Sequence, residues 1–351
     1  MVGVTELVPV ETEPEGGDVV ARIYDVALLD LDGVVYIGPD PVEHAATSLK
    51  AARAEGMRLA FVTNNASRPP GVVSAHLTEL GIEAFEHEVV TSAQAAARLL
   101  AERVPANAKV LVIGGEGLFA ALRGQELVPV RSLAEEPVAV VQGFGPDVGW
   151  RTLAEASYAV ASGLLWVASN LDRTVPTPHG IAPGNGALVD VVRTATGREP
   201  IAAGKPEPPM HREAMLRTGA RRPLVVGDRL DTDIEGATRA GADSLLVLTG
   251  VTSAQEVVLA RPGLRPTHIG HDLRALHEPA SALAVTAGLQ TVGEWRAEVT
   301  RGRLLLTGPR HAADDTTRLD ALRAACGAAW AEEGDLDRPS VDAALASLFA
   351  R

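Results

Sequence analysis

Lysine is almost absent from this chain, occurring only at Lys50, Lys109 and Lys205, so arginine supplies nearly all of the 32 basic side chains. Against them stand 45 acidic residues, for a formal net charge of −13. Binding to nucleic acid in general depends on basic groups that displace counterions from phosphates, so no nucleic-acid partner is expected. Cysteine is reduced to Cys326, which leaves no second thiol for an intramolecular disulfide. The N-terminus lacks the basic stretch and apolar core of a signal peptide, and no membrane span is expected, so the expected address is the cytoplasm. Aromatic residues make up only 3% of the chain, which disfavours recognition by stacking on a nucleobase or pyridine ring.

What is present is a large apolar complement, 46% of 351 residues, enough for a sizeable core and for more than one ordinary domain. The most informative run is Val26-Ala27-Leu28-Leu29, which leads directly into Asp30-Leu31-Asp32-Gly33-Val34. Continuous apolar runs of this length read as central strands of a parallel sheet, and such sheets bind ligands at the carboxyl ends of their strands. Taken alone, an Asp-x-Asp after a strand is equally a turn whose side chains bond nearby amides. Two further strand ends carry groups suited to phosphoryl chemistry: Leu59-Ala60-Phe61-Val62 before Thr63-Asn64-Asn65, and Leu224-Val225-Val226-Gly227 before Asp228, with Asp231 and Asp233 following. Between them lies Gly204-Lys205-Pro206, and a lysine in a chain that avoids lysine is hard to dismiss as a surface charge.

The ordered set Asp30/Asp32, Thr63, Lys205 and Asp228/Asp233 resembles the four motifs of the haloacid dehalogenase superfamily of phosphohydrolases. Asp-Leu-Asp-Gly-Val, Thr-Asn-Asn, Gly-Lys-Pro and Gly-Asp-Arg-Leu-Asp-Thr-Asp-Ile are similar to the subfamily of NagD-type, phosphoglycolate, glycerol 3-phosphate and pyridoxal phosphate phosphatases. The resemblance spans roughly residues 24 to 275 and implies an α/β fold: a Rossmann-like parallel-sheet core with a large inserted α/β cap.

The hydrophobic pattern divides the chain accordingly. Residues 1–20, acidic and rich in proline and glycine, are expected to be a disordered tail. Residues 21–91 and 203–275 are expected to form the catalytic core, with helices over 44–55 and 69–80, strands at 88–91, 244–248 and 267–270, and a helix ending at Ala240. Residues 92–202 read as the cap, with helices over 93–102 and 150–162, strands over 110–113, 138–142 and 164–168, and a last helix closing at Gly197. Residues 276–351 lie outside the resemblance and read as a small α+β appendage, with a hairpin from 294–299 and 303–307 and helices over 317–332 and 339–350. Packing on the core or an oligomer contact is its expected role, with a ligand-binding module as the alternative.

The resemblance implies a mechanism. Asp30 attacks phosphorus to form an aspartyl phosphate, and Asp32 protonates the leaving alkoxide and then activates the hydrolytic water. Thr63, Asn64 and Lys205 bind the phosphoryl oxygens, with Asn65 near the substrate. Mg²⁺ is held by Asp30, Asp228 and the backbone carbonyl of Asp32, and Asp233 supports Lys205 or a metal-bound water. No substrate role is expected for His179 or Asn185, read as surface residues, or for Asp231 and Arg229. The paired acid Asp32 separates this pattern from receiver domains and dehalogenases, which lack it, and from P-type ATPases, which have threonine there. The expected substrate is a small phosphorylated metabolite, glycerol 3-phosphate or 2-phosphoglycolate, with a nucleotide or pyridoxal phosphate as the alternative. A non-catalytic phosphate-sensing protein is the reading from another class. Caps of this subfamily often mediate homo-oligomers.

Overall fold

The computed structural model describes residues 18–177, 179–309, 314–332 and 334–349. The strand Val26–Leu29 is buried along its whole length and sits in the middle of a six-stranded sheet. It pairs in parallel with Arg58–Thr63 on one side and Pro223–Gly227 on the other. Val89–Thr91 closes one edge, and Asp243–Val247 and His268–Gly270 extend the other, also in parallel. Because every strand runs the same way, the carboxyl ends carrying Asp30, Thr63 and Asp228 meet along one rim. Strand order reverses beside Val26–Leu29, which is where a crevice opens in such sheets.

A second parallel sheet of five strands follows the order Ile201–Ala202, Leu165–Ala168, Ala139–Gln142, Lys109–Ile113, Val128–Val130. The expected strands and helices occur within one or two residues of their anticipated ends. The helix Glu116–Arg123, the strand Val128–Val130 and the antiparallel hairpin of Thr174–Thr177 with Gly180–Pro183 had no expectation, and neither did the core helix Pro208–Thr218. Each sheet has a core of its own on one face, around Leu29, Phe61 and Val226 in the first and Leu111, Val140 and Trp166 in the second, and the two share a third. Leu28, Ala60 and Val225 of the first and Val110, Val112, Val141 and Val167 of the second belong to one apolar cluster, bridged by the helix Ser92–Ala101, which buries seven of its residues.

The C-terminal region is a three-stranded antiparallel sheet, Thr291–Val292, Trp295–Thr300 and Arg303–Thr307, covered by the helices Asp315–Trp330 and Arg338–Phe349. Its cluster runs into the catalytic core through Ile234, Leu246, Val257 and Ile269. Residues 1–17 of the expected tail, and Ala350 of the expected last helix, lie outside the described residues. Residues 18–20 are paired rather than loose: the Val20 amide donates to the Glu278 carbonyl at 3.1 Å, the Ala280 amide to the Asp18 carbonyl at 3.2 Å, and Val20 is fully buried.

Candidate active site

Asp30 continues its strand by one residue, its amide donating to the Val226 carbonyl at 2.8 Å. The chain then coils tightly, with the amides of Val34, Val35 and Tyr36 all converging on the Leu31 carbonyl. Gly33 takes φ +84°, and a Cβ there would run into the Asp228 carboxylate, so the turn needs glycine for both its dihedral and its lack of side chain. The coil turns Asp32 toward the open side of the crevice, beside a small hairpin of Tyr36–Ile37 with Asp40–Pro41.

Lys205 is 5% exposed. Its Nζ stands 2.7 Å from Asp30 Oδ1, 2.7 Å from Asp233 Oδ1 and 3.4 Å from the Val62 carbonyl. Asp233 reaches this point through a π-helical turn, Leu230–Ile234, in which the amides of Asp233 and Ile234 both donate to the Arg229 carbonyl. Such turns re-aim a side chain that a regular helix would place elsewhere. Asp228 Oδ2 accepts the Val251 amide at 2.7 Å, whereas its Oδ1 is buried and has no hydrogen-bond partner among the described residues.

Asp30, Asp228 and Asp233 can bring one carboxylate oxygen each within 4.8 Å of the other two. Asp233 is already engaged, by Lys205 through Oδ1 and by the Arg229 amide through Oδ2. Asp30 shares Lys205 with it through Oδ1, so both Asp233 oxygens are taken while the pair Asp30 and Asp228 keeps one oxygen unpartnered among the described residues, Asp228 Oδ1. Two hard carboxylate oxygens, one an orphaned buried atom, fit a small divalent cation such as Mg²⁺, which keeps most of its waters and binds proteins through one or two carboxylates.

The electrostatics are those of crowded carboxylates with one strong cation. Burial, reinforced by Asp233 and opposed by Lys205, pushes Asp30 up to about 6. Asp32 side-chain atoms reach solvent, yet the surrounding protein and the neighbouring Asp30 push its carboxyl up to about 6 as well. Burial and Asp30 do the same to Asp228. Burial works against the charge of Lys205, but Asp233 and Asp30 outweigh it and hold the ammonium firmly protonated. The site thus has carboxyls poised to trade protons near neutrality beside a fixed positive charge.

Thr63 is 5% exposed and its Oγ1 accepts the Asn65 amide at 3.1 Å. Asn65 itself lies outward, its Oδ1 holding the Ser67 amide and hydroxyl in a local turn. Asn64 is the node between the two sheets. Its side chain grips the Lys205 backbone through both polar atoms, Oδ1 to the amide at 2.8 Å and Nδ2 to the carbonyl at 3.2 Å, and Nδ2 also reaches Asp172 Oδ2 at 3.1 Å. Its carbonyl accepts from Asn170 Nδ2 at 2.7 Å and Ser92 Oγ at 2.5 Å.

Asn170 and Asp172 were not singled out in the sequence, although Asn-x-Asp follows the strand Leu165–Ala168 much as Asp-x-Asp follows Val26–Leu29. Asn185, expected on the surface, is 1% exposed. It donates to the Asn170 carbonyl at 2.7 Å, because its helix begins at Gly184 and Gly186, where close approach to the backbone of Leu171, Asp172 and Thr174 leaves no room for a Cβ. His179 is exposed, as expected. Arg229 and Asp231 form a two-pronged ion pair at 3.0 and 2.8 Å at the rim. His76 was likewise unforeseen: its ring meets the edge of Tyr36 at 5.6 Å, and its charge works to lower Asp32.

Comparison with known proteins agrees with this geometry. Residues 27–127 match the haloacid dehalogenase-like hydrolase family and residues 202–276 a HAD-hydrolase-like family, while 292–348 match a GCN5-related N-acetyltransferase like domain. The chain is 52% identical over 266 residues to a D-glycerol 3-phosphate phosphatase of Mycobacterium tuberculosis, covering 76% of this chain and 74% of that protein. It is 36% identical over 252 residues to an acid sugar phosphatase of Staphylococcus aureus, covering 71% and 95%. The crystal structure of a glycerol phosphate phosphatase from Mycobacterium tuberculosis in complex with magnesium superposes with a TM-score of 0.86 at 46% identity, covering 94% of this chain and 98% of that one. A p-nitrophenyl phosphatase from Archaeoglobus fulgidus superposes at 0.67 and 31% identity, covering 74% and 99%.

Proposed function

Since the chain belongs to the haloacid dehalogenase-like hydrolases and is a phosphoric monoester hydrolase, we propose that it removes phosphate from glycerol 3-phosphate with Asp30 as nucleophile and Mg²⁺ as cofactor. The observation that carries the reading is the buried set Asp30, Lys205 and Asp233, with Asp228 Oδ1 unpartnered beside it. Asp30 and Asp228 would hold the cation by their carboxylates, with the backbone carbonyl of Asp32 as the third protein ligand. Bound there, Mg²⁺ screens the repulsion between carboxylate nucleophile and phosphate dianion.

Asp30 Oδ attacks phosphorus in line as the bond to the glycerol oxygen breaks, and Asp32, whose carboxyl is raised to about 6 so that it can carry a proton close to neutral pH, gives that proton to the leaving oxygen. Asp32 then takes a proton from water, which attacks the same phosphorus, breaks the acyl phosphate and returns Asp30 as carboxylate. Lys205 and the Thr63 hydroxyl, with the Asn64 amide, meet the charge on the equatorial oxygens from fixed positions. Asp233 keeps Lys205 charged and aimed, and Asn64 ties that loop to the cap through Asn170 and Asp172.

Support for glycerol 3-phosphate as the substrate comes from the Mycobacterium phosphatase at 52% identity. The scarcity of aromatics fits a substrate without a ring. Cytoplasmic residence belongs to the same reading, since the lone Cys326 is buried and unpaired. The test is phosphate release with Mg²⁺ across a panel of phosphomonoesters, compared as kcat/KM. Glycerol 3-phosphate should exceed 2-phosphoglycolate, nucleoside monophosphates and pyridoxal 5′-phosphate; a nucleotide far ahead of it would overturn the choice of substrate.

A further inference from the structure

Asp228 is aimed by a loop, and that loop is braced from outside the catalytic sheet. The Val251 amide donates to Asp228 Oδ2 at 2.7 Å, the Thr252 amide to the Asp228 carbonyl at 3.2 Å, and Thr249 Oγ1 to the Gly33 carbonyl at 2.5 Å. Residues 249–252 therefore clamp both the orphaned carboxylate and the turn that carries Asp32. The segment has two anchors, the strand Asp243–Val247 before it and the helix Ala254–Val258 after it.

That helix has only five residues, capped by Ser253 and Glu256, and a helix so short does not hold itself in water. Its position is set by what it packs against. Ala254, Val257 and Val258 share a cluster with Leu322, Ala325, Trp330, Val341 and Leu345 of the C-terminal appendage. The Trp330 indole N–H donates to the Val257 carbonyl at 3.2 Å, and the Gln255 side-chain amide donates to the Asp342 carboxylate. Arg265 fixes Trp330 in turn, its Nη1 donating to the Trp330 carbonyl at 3.0 Å with the guanidinium 5.5 Å from the indole ring.

We propose that the appendage is a positioning element for the metal site: Trp330, acting through residues 254–258 and the loop 249–252, fixes the aim of Asp228, so the chain's affinity for Mg²⁺ depends on how residues 315–349 are packed. The proposal rests on Asp228 as a ligand of Mg²⁺. It gives the appendage a role in the reaction that needs no ligand of its own. Partners behind a metal ligand commonly set affinity by 10–100-fold when removed; one step further back, Trp330→Phe should weaken Mg²⁺ binding about threefold to tenfold.

The experiment is calorimetric titration of the full-length, metal-free protein with Mg²⁺, run beside kcat at saturating Mg²⁺. Trp330→Phe and Gln255→Ala should raise the Kd for Mg²⁺ while kcat at saturation stays near that of the unaltered protein. Trp295→Phe serves as the control, because Trp295 lies in the same appendage but its indole N–H has no partner among the described residues; it should leave the Kd unchanged. An unchanged Kd in both Trp330→Phe and Gln255→Ala overturns the coupling, as does an equal rise in Trp295→Phe, which would reduce the effect to general loosening. Asp228→Asn separates the premise from the proposal: it should abolish binding, and if it does not, the assignment of Asp228 fails rather than the bracing.

Discussion

Asp30, Asp32 and Asp228 sit within one crevice with carboxyls raised to about 6 by burial and by one another, and the metal-free protein should show that tension as instability. A carboxyl whose folded value lies above its unfolded one binds more protons when folded, so its contribution to stability is complete at low pH. That contribution is lost as pH rises through about 6 and stays lost above it. Asp228→Asn should therefore raise the Tm of the metal-free protein at pH 8 by roughly 2–4 °C, the equivalent of about 1 kcal/mol, and change it little at pH 4. Thermal scans in chelator at the two pH values check this; equal shifts at both would contradict the raised value. For turnover, Asp30→Asn should remove activity, and Asp32→Asn should lower kcat for glycerol 3-phosphate by about 10²–10⁴-fold while leaving Mg²⁺ binding intact. Equal residual activity in the two variants would contradict their separate roles. The residues in these predictions were legible in the sequence because each stands where a buried apolar strand ends, and a charge at such a place has few structural explanations. Asn170, Asp172 and Asn185 were not, because uncharged or singly acidic polar residues after a strand look like any turn until the second sheet is seen to press against the first.

At the scale of elements, buried strands and amphipathic helices were found within a residue or two, since an apolar run bounded by glycine or a polar cap leaves little freedom. The hairpin Thr174–Thr177 with Gly180–Pro183 and the helix Pro208–Thr218 were missed for opposite reasons. The hairpin exposes most of the side chains described for it and so carries no hydrophobic alternation, and the helix hides behind two opening prolines that read as loop. The π-helical turn Leu230–Ile234 could not be read at all, because it differs from a helix by one hydrogen-bond step. Most consequential is the junction where Asn170 and Ser92 hold the Asn64 carbonyl. The Asn170 side chain also accepts the Asp172 amide at 3.2 Å, and each such hydrogen bond removed costs about 1 kcal/mol. Asn170→Ala should accordingly lower stability by about 2 kcal/mol, while kcat/KM falls about tenfold if the Asn64 amide is aimed at the phosphate as proposed. Steady-state kinetics with a melting curve separates the two; a melting change with unaltered kcat/KM would make the junction merely structural.

For the whole molecule, the sequence led to an expected division into core, cap and appendage through its hydrophobic pattern and its resemblance to a family, but the way the parts are joined was not legible in it. One apolar cluster passes from Leu28 and Val225 to Val112 and Val167, and another from Leu246 to Trp330 and Leu345. The second sheet keeps one cluster to itself but shares the other with the first, so calorimetry should register one cooperative unfolding transition; well-separated transitions for the two sheets would contradict the shared cluster. Among the described residues no helix is long and apolar enough to cross a membrane. The measurement that bears most directly on the account is capture of the phosphoenzyme: Asp32→Asn mixed with radiolabelled glycerol 3-phosphate and Mg²⁺, quenched in acid and mapped by mass spectrometry. One alkali-labile phosphate on Asp30, absent in chelator and absent from Asp30→Asn, is the predicted result, whereas phosphate release without any phosphorylated Asp30 in either the variant or the unaltered enzyme would contradict it.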